Sequence, residues 1–79
     1  MSKLMDMGIE NATKAVEADN NGRYDEALRY YTNALEAFMA AIKWETNGSV
    51  KALLRKKTGE FLTRAETIKA YLEGQKKSE

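Results

Sequence analysis

The segment from Gly22 to Glu45, GRYDEALRYYTNALEAFMAAIKWE, constrains the fold of this 79-residue chain more than any other. Beyond its first residue it contains neither glycine nor proline, the residues that most disfavour a helix interior. Asp25 and Glu26 stand near its start, where the helix dipole stabilises negative charge. Its apolar residues recur every three or four positions: Tyr24, Ala27, Leu28, Tyr31, Ala34, Leu35, Phe38, Ala41 and Ile42. The segment therefore predicts one amphipathic helix over about residues 23–46.

A shorter helix is predicted before this segment, over about residues 3–19. Asn20, Asn21 and Gly22 should end it, because Asn and Gly tolerate the left-handed conformation of helix C-termini. The apolar residues that share one side of this helix form its expected core stripe: Met5, Ile9, Ala12 and Val16, with Leu4 and Ala15 beside them.

A third helix is predicted over about residues 50–74. Asn47 and Gly48 should end the helix before it, and Ser49 is its expected N-cap. Its apolar residues alternate spacings of four and three: Leu54, Thr58, Phe61, Ala65, Ile68 and Leu72. Such a seam favours long helices that pack antiparallel at a shallow angle. Residues 75–79 are expected to be a fraying helix end or the start of a linker.

These elements predict an all-α fold, an up-down-up three-helix bundle in a single domain over residues 1–74. The short loops force neighbouring helices to be antiparallel, and the absence of proline supports helix throughout. Because the chain has no cysteine, disulfides are excluded, and without histidine a zinc site is not expected. Apolar packing must therefore hold the fold, and we expect the isolated domain to be monomeric.

Composition also narrows the function. Without histidine or cysteine the chain lacks the commonest general base and the thiol nucleophile, and its five glycines form no phosphate-binding loop. The sequence thus predicts a binding protein rather than an enzyme, with no metal or cofactor in this domain. No segment is apolar for long enough to be a signal peptide or a membrane span, so we expect a cytoplasmic protein that does not insert into membranes.

Charge is distributed unevenly along the chain. Residues 1–45 hold five Lys or Arg and eight Asp or Glu, whereas residues 46–79 hold eight and four. The basic cluster formed by Lys51, Arg55, Lys56 and Lys57 has no aromatic residues interleaved with it, and the whole chain has a net charge of only +1. Nucleic-acid binding is therefore not expected.

The third helix carries more apolar residues than its seam requires: Leu53, Leu62 and Tyr71 lie beside the stripe. Leu62 shares a face with Gly59 and Glu66, and Arg55 and Lys69 flank it. An apolar strip bordered by both signs of charge suits an amphipathic helix laid into a groove. Alternatively, Leu62 only widens the core stripe, and the sequence by itself leaves both interpretations open.

Two glycines lie inside predicted helices, and each costs about 1 kcal/mol relative to alanine. At Gly8 and Gly59 either the fold tolerates this loss of stability, or the missing side chain permits a close approach of helices. For Gly59 a second interpretation is a shallow place where a ligand lies.

Several motifs carry a resemblance to a known family. Residues 61–72, FLTRAETIKAYL, resemble the YLxRAExLKxYL ending of MIT (microtubule-interacting and trafficking) domains. Residues 42–45, IKWE, are similar to the IKYE that closes the second MIT helix, and residues 24–28, YDEAL, to the YEEAL that opens it. Residues 13–15, TKA, match the first helix. The likeness covers nearly the whole chain and is strongest to the N-terminal domain of the vacuolar-protein-sorting AAA ATPase that disassembles ESCRT-III.

The resemblance implies a module that binds C-terminal helical tails of ESCRT-III subunits in a groove between the second and third helices. It implies recruitment to endosomal membranes through ESCRT-III, with ATP and Mg needed only by an ATPase domain outside this chain. Leu62 would line the central pocket, Glu66 would meet an arginine of the tail, and Lys57 an acidic residue. The full set of residues expected at this groove is Phe38, Ala41, Trp44, Glu45, Lys57, Gly59, Leu62, Thr63 and Glu66.

A second groove in the family, between the first and third helices, takes extended proline-containing tails. Here it would involve Ile9, Ala12 and Val16. Asn11-Ala12 stands where the family often has Leu-Val, a smaller and more polar surface that counts against use of this groove. Thr63 also replaces a common Asp, which removes one partner for the tail's arginine.

Two alternatives stay open at this point. The chain could be an MIT domain of another host, such as a protease, a deubiquitinase, a kinase or a microtubule-severing ATPase. It could also be a tetratricopeptide-like adaptor element, because residues 22–35, GRYDEALRYYTNAL, fit that repeat's hairpin. Against the latter stand the absence of a second copy and of a proline after the long helix.

Thermal unfolding separates the repeat from the bundle. A self-contained bundle should unfold in one cooperative transition when followed by circular dichroism at 222 nm, whereas a lone repeat, which cannot bury its apolar face, should melt without one. A broad, non-cooperative loss of helix would favour the repeat.

Overall fold

The computed structural model describes residues 2–77, and within them the chain is a three-helix bundle without strands. Helix α1 spans Lys3–Asn20, α2 spans Tyr24–Trp44 and α3 spans Gly48–Lys77. The bundle is elongated, 48 × 17 × 16 Å, because α3 alone has 30 residues. The all-α, three-helix prediction is confirmed. Within the described residues no helix is both long and apolar enough to cross a membrane.

The helix ends differ from the predicted ones by a few residues. α2 ends at Trp44, α3 begins at Gly48, and α3 continues through residues 75–77; residues 78–79 lie outside the described part of the chain. The prediction that Ser49 is the N-cap of α3 was wrong. The side-chain oxygen of Asn47 instead accepts hydrogen bonds from the backbone N–H groups of Ser49 (2.9 Å) and Val50 (3.2 Å). Asn is as good an N-cap residue as Ser, and Asn47, which comes before Ser49, is the N-cap of α3.

The turn between α1 and α2 forms as its sequence predicts. Gly22 has a φ of 75°, in the left-handed region. The N–H of Arg23 donates to the carbonyl of Ala18 (2.9 Å), and the N–H of Gly22 to that of Asp19 (3.1 Å). These two bonds satisfy the last carbonyls of α1 in a Schellman motif. At the other end of α1, the Ser2 hydroxyl accepts from the N–H of Met5 (3.2 Å).

Small residues bring α1 and α2 close together. The buried residues of α1 are Gly8, Ala12, Ala15 and Ala18, and those of α2 include Ala27, Ala34, Ala37 and Ala41. The predicted core stripe of α1 was therefore partly wrong: Ile9 and Val16 are 42% and 41% exposed. Three alanines and a glycine are the buried residues of α1, because small side chains let the two helices pack closely.

Aromatic rings join this pair of helices to α3. Phe38 of α2 is buried and stacks on Phe61 of α3, with ring centroids 5.9 Å apart and an interplanar angle of 6°. Phe61 also contacts Tyr31, at 5.9 Å between centroids. The predicted seam of α3 is confirmed: Leu54, Ala65 and Ile68 are buried, and Thr58, Phe61 and Leu72 partly buried.

α3 packs mainly against α2, and it approaches α1 closely at very few points. The bundle is thus a tight α1–α2 hairpin with a third helix laid along one of its members. Both sides of α3 keep apolar side chains partly exposed, among them Leu53 on one side and Leu62 on the other. Two grooves result, one on each side of α3.

The absence of a side chain at Gly8 lets the Phe38 ring pack closely against α1. A Cβ atom at Gly8 would lie 2.6 Å from Cε1 of Phe38, whereas a Cβ at Gly59 would meet nothing within 4 Å. Gly8→Ala should therefore destabilise the fold by about 1–2 kcal/mol, since the strain of overpacking exceeds the gain in helix propensity.

Gly59→Ala is the matched control and should stabilise the fold by about 0.5–1 kcal/mol, because only the propensity changes. Urea unfolding of both variants measures the two free energies. Equal effects of the same sign would show that the contact between Gly8 and Phe38 does not limit the packing.

Candidate functional site: two grooves beside the third helix

The groove between α2 and α3 is a shallow apolar depression of about 380 Å³. Its lining comes from both helices: Met39, Ile42, Arg55, Thr58, Gly59 and Leu62. Met39 is 62% exposed and Leu62 is 47% exposed, so both leave apolar surface open to solvent. Leu62 therefore does more than widen the core stripe of α3.

Local chemistry makes this groove apolar although it contains a threonine. The Thr58 hydroxyl donates to the carbonyl of Leu54 (2.7 Å), and the hydroxyl of Thr63 donates to that of Gly59 (3.0 Å). Each hydroxyl is thus satisfied within its own helix. Gly59 adds no side chain, which keeps this part of the surface low.

Charged residues of opposite sign flank the same strip. Arg55 lies in the lining, one turn before Gly59, and Glu66 follows Leu62 by one turn of α3. Both are exposed, and within residues 2–77 neither forms a salt bridge with another residue. An apolar strip between a cation and an anion is complementary to an amphipathic helix that carries the reverse charges.

The groove between α1 and α3 is larger, about 510 Å³, and its surface is almost wholly apolar. Its lining is Met5, Ile9, Ala12, Thr13, Val16, Phe38, Leu53, Leu54, Lys57 and Phe61. The stacked rings of Phe38 and Phe61 contribute to it from the core. Ile9, Val16 and Leu53 are large apolar residues left exposed beside it.

An ion pair joins α1 to α3 beyond the Val16 end of this groove. The Arg64 guanidinium of α3 donates two hydrogen bonds to the Asp19 carboxylate of α1, from Nε to Oδ2 and from Nη2 to Oδ1, each 2.7 Å. The Tyr31 hydroxyl of α2 donates to the same carboxylate (3.0 Å). Asp19 thus accepts bonds from both other helices.

The pKa values reflect this cluster. The hydrogen bonds from Arg64 hold the pKa of the Asp19 carboxyl below its ordinary value of 3.8, and the bond from Tyr31 adds to this effect against an opposing contribution from burial. Burial, with the neighbouring carboxylate, raises the pKa of Tyr31 to about 12. At neutral pH the carboxyl is therefore ionised and the phenol is protonated, as the hydrogen bonds require.

Arg64 also compensates an unfavourable position of Asp19. An acidic residue in the last turn of a helix opposes the negative end of the helix dipole, and α1 has no basic residue in that turn. The guanidinium supplied by α3 provides the missing positive charge. The same interaction places α3 against the C-terminal end of α1.

The residues predicted for the α2/α3 groove lie in three different places. Gly59 and Leu62 line it, and Thr63 and Glu66 are exposed next to it on α3 without lining it. Phe38 and Lys57 instead line the α1/α3 groove. Ala41, Trp44 and Glu45 line a separate small pocket beside the N-terminus of α1. Ala41 and Trp44 share this pocket with Leu4 and Met5 of α1 and with Leu54 of α3.

The three residues predicted for the second groove, Ile9, Ala12 and Val16, all line the α1/α3 groove. The expectation of a smaller and more polar surface there was wrong in its geometry. Asn11 turns its side-chain amide back to the carbonyl of Met7 (2.9 Å) and is absent from the lining. Leu53 and the two phenylalanines supply the apolar area, so a small residue at position 12 deepens the groove.

The sequence did not point to Met39, although it lies three positions before Ile42 and lines the same groove. Arg55 was expected beside this strip and lines the groove, whereas Ile42 and Thr58 had been assigned only to core stripes and line it as well. In the part of the chain that the structure describes, no three acidic residues are placed to hold a metal ion.

Comparison with known proteins gives one family. The family model of the MIT (microtubule interacting and transport) domain matches residues 5–70. This match includes most of each of the three helices and removes the support for the tetratricopeptide alternative.

Similar proteins come from several organisms. The chain is 39% identical over 72 residues, 91% of its length, to Protein SUPPRESSOR OF K(+) TRANSPORT GROWTH DEFECT 1 of Arabidopsis thaliana. It is 40% identical over 73 residues, 92% of its length, to Vacuolar protein sorting-associated protein 4 of Dictyostelium discoideum. It is 34% identical over 74 residues, 89% of its length, to Serine/threonine-protein kinase ULK3 of Xenopus laevis. The chain spans 16–17% of the length of these three relatives.

The ion pair between Asp19 and Arg64 predicts a specific pH dependence. Because the folded-state pKa of Asp19 is lowered, its contribution to stability is present above the unfolded pKa, near 4, and is lost as pH falls through the lower folded value. Asp19→Asn should cost about 1 kcal/mol at pH 7, because Arg64 is partly exposed and water screens the pair. The difference between the two proteins should shrink below pH 4.

Urea unfolding from pH 7 to pH 2.5 measures this difference. Glu17→Gln, an exposed carboxylate in the same part of α1, is the control and should change stability little. A difference for Asp19→Asn that stays constant over the whole range would contradict the assignment of the lowered pKa to this pair.

Proposed function

The chain belongs to the MIT (microtubule interacting and transport) domain family, and we propose that it is a receptor for the C-terminal helical tails of ESCRT-III subunits. As an MIT domain it is a non-catalytic interaction module. Its likeness to a vacuolar protein sorting-associated protein supports a role in vacuolar protein sorting. We propose that the tail binds in the α2/α3 groove.

The observation that carries this proposal is the apolar strip of that groove. Met39 and Leu62 expose apolar side chains on its two walls, and Gly59 leaves space between them. A helix that presents leucines at every third or fourth position would bury these residues. Arg55 would face an acidic residue of the tail, and Glu66 a basic one. Lys57, which lines the opposite groove, is not part of this set.

The small size of the groove limits its affinity. One helix in a depression of about 380 Å³ buries little area, so binding should be weak and reversible. Weak binding suits a protein that binds many copies of a subunit in a polymer, because avidity raises the overall affinity. We propose that the host protein is an AAA ATPase that disassembles ESCRT-III on endosomal membranes, with ATP and Mg bound outside this domain.

The α1/α3 groove is a second candidate peptide site. It is larger and more apolar than the first, and its exposed Ile9, Val16 and Leu53 have no covering element in the described residues. Large exposed apolar patches on a small domain mark interaction sites. We propose that this groove binds a separate peptide, so that the two sides of α3 serve two ligands.

The similarity to a kinase supports an alternative in which this domain belongs to a kinase. MIT domains also occur in proteins such as Serine/threonine-protein kinase ULK3, which the chain resembles at 34% identity. Identity of 39% and 40% to the first two relatives favours the ATPase host. The groove residues discussed above belong to this domain and do not depend on which host carries it.

Paired substitutions on the two sides of α3 test the groove. A leucine-rich amphipathic tail peptide from an ESCRT-III subunit is titrated by fluorescence anisotropy against the wild-type domain, Leu62→Asp and Leu53→Asp. Leu62→Asp should weaken binding at least tenfold, because it places a charge in the apolar strip. Leu53→Asp is the matched control, since Leu53 is similarly exposed but lines the other groove, and it should leave affinity unchanged. Equal affinities of the wild type and Leu62→Asp would exclude the α2/α3 groove.

A further inference from the structure

A small pocket lies at the end of the bundle where α1 begins and α2 ends. It has a volume of about 120 Å³ and is lined by Ser2, Leu4, Met5, Ala41, Trp44, Glu45 and Leu54. Trp44 is the single tryptophan of the chain and is 74% exposed. An aromatic side chain of this size presents a large, rigid contact surface, the kind that carries most of the energy at protein interfaces.

This pocket adjoins the α1/α3 groove, since Met5 and Leu54 line both. Together the groove and the pocket form a surface that extends from Val16 to Trp44. It follows α1 over about 14 residues, or roughly 21 Å, a distance that about six or seven residues of extended peptide would span.

The charges along this surface change sign from the groove to the pocket. Of the residues that the structure describes, Lys57 is the charged residue in the groove lining, and Glu45 is the charged residue in the pocket lining. Lys57 pairs with Glu60 of its own helix at 3.5 Å, but both side chains are more than half exposed, so this pair offers little competition to a ligand. Asp6, in the first turn of α1, adds negative charge near the pocket.

The carboxylate of Glu45 is held in place. Its Oε1 accepts a hydrogen bond from the backbone N–H of Asn47 (2.9 Å). Among the described residues no salt bridge engages it. A fixed carboxylate next to an exposed indole matches the guanidinium of arginine, which stacks on an aromatic face and donates to a carboxylate at the same time.

We propose that Trp44 and Glu45 form an arginine subsite at the end of the α1/α3 groove. The partner is a peptide with apolar residues for the groove, an acidic residue that faces Lys57, and an arginine that stacks on Trp44 and pairs with Glu45. The two charges of opposite sign fix the direction in which the peptide lies. This inference rests on the proposed use of the α1/α3 groove and adds to it the chemistry of its ligand.

The probe for the test is a displayed library of random 12-residue peptides. Selection uses the Leu62→Asp domain, in which the α2/α3 groove is impaired, and retains peptides that no longer bind when Ile9→Asp is added. The retained peptides should contain arginine. Replacing that arginine with citrulline, a neutral residue of the same shape, should weaken binding at least tenfold.

Variants of the domain, measured with both the arginine and the citrulline peptide, complete a double-mutant cycle. Trp44→Leu and Glu45→Gln should each weaken the arginine peptide several-fold or more, but should hardly affect the citrulline peptide. Glu36→Gln, an exposed carboxylate elsewhere on α2, is the control and should have no effect. Binding should also shift the emission of Trp44 to shorter wavelength. Circular dichroism establishes that each variant keeps its helix content.

Two outcomes would overturn the proposal, and they are distinguishable. Peptides that depend on Ile9 but bind Trp44→Leu and Glu45→Gln as tightly as the parent would remove the arginine subsite and leave the groove standing. A library that yields no peptide dependent on Ile9 would remove the groove itself, and the subsite with it.

Discussion

The contact between Phe38 and the backbone of α1 at Gly8 determines the rest of the structure. A methyl group at position 8 would overlap the Phe38 ring, so glycine permits the ring to lie directly against α1. The alanines at positions 12, 15, 27 and 34 are buried and add little bulk between the two helices. The position of α3 depends on the same ring, because Phe61 of α3 stacks on Phe38.

This arrangement explains why a small domain has two grooves. Since α1 and α2 fill the space between themselves with small residues, α3 can pack closely only on α2. The ion pair between Asp19 and Arg64 joins α3 to α1 beyond the Val16 end of their groove, and the remaining length of that groove stays open. α3 therefore contributes a wall to each groove, with Leu62 on one side and Leu53 on the other. In the proposed function these two faces of α3 bind two different ligands.

The fold was predictable from the sequence, because helical periodicity, turn residues and short loops all act locally. The stripe of α2 and the seam of α3 followed from spacing alone. The stripe of α1 did not, because spacing identifies an apolar face without saying which part of it meets a neighbour. The spacing put Ile9 and Val16 in the core, whereas the family resemblance put them in the second groove, and they line that groove. Trp44 and Lys57 were expected at the α2/α3 groove, whereas the structure has Lys57 in the lining of the α1/α3 groove and Trp44 in a separate pocket. The ion pair of Asp19 with Arg64 joins residues 45 positions apart, so no local sequence pattern predicts it.

The central claim is that the two sides of α3 are separate sites and that a leucine-rich helical tail selects the α2/α3 side. A chemical-shift map of the 15N-labelled domain, recorded during titration with one ESCRT-III tail peptide, tests this claim most directly. If the tail binds on the α2/α3 side, the amide signals of Met39, Ile42, Thr58, Gly59 and Leu62 should shift, while those of Ile9, Thr13 and Val16 should stay in place. Shifts confined to the residues of α1, with none along α2, would contradict it.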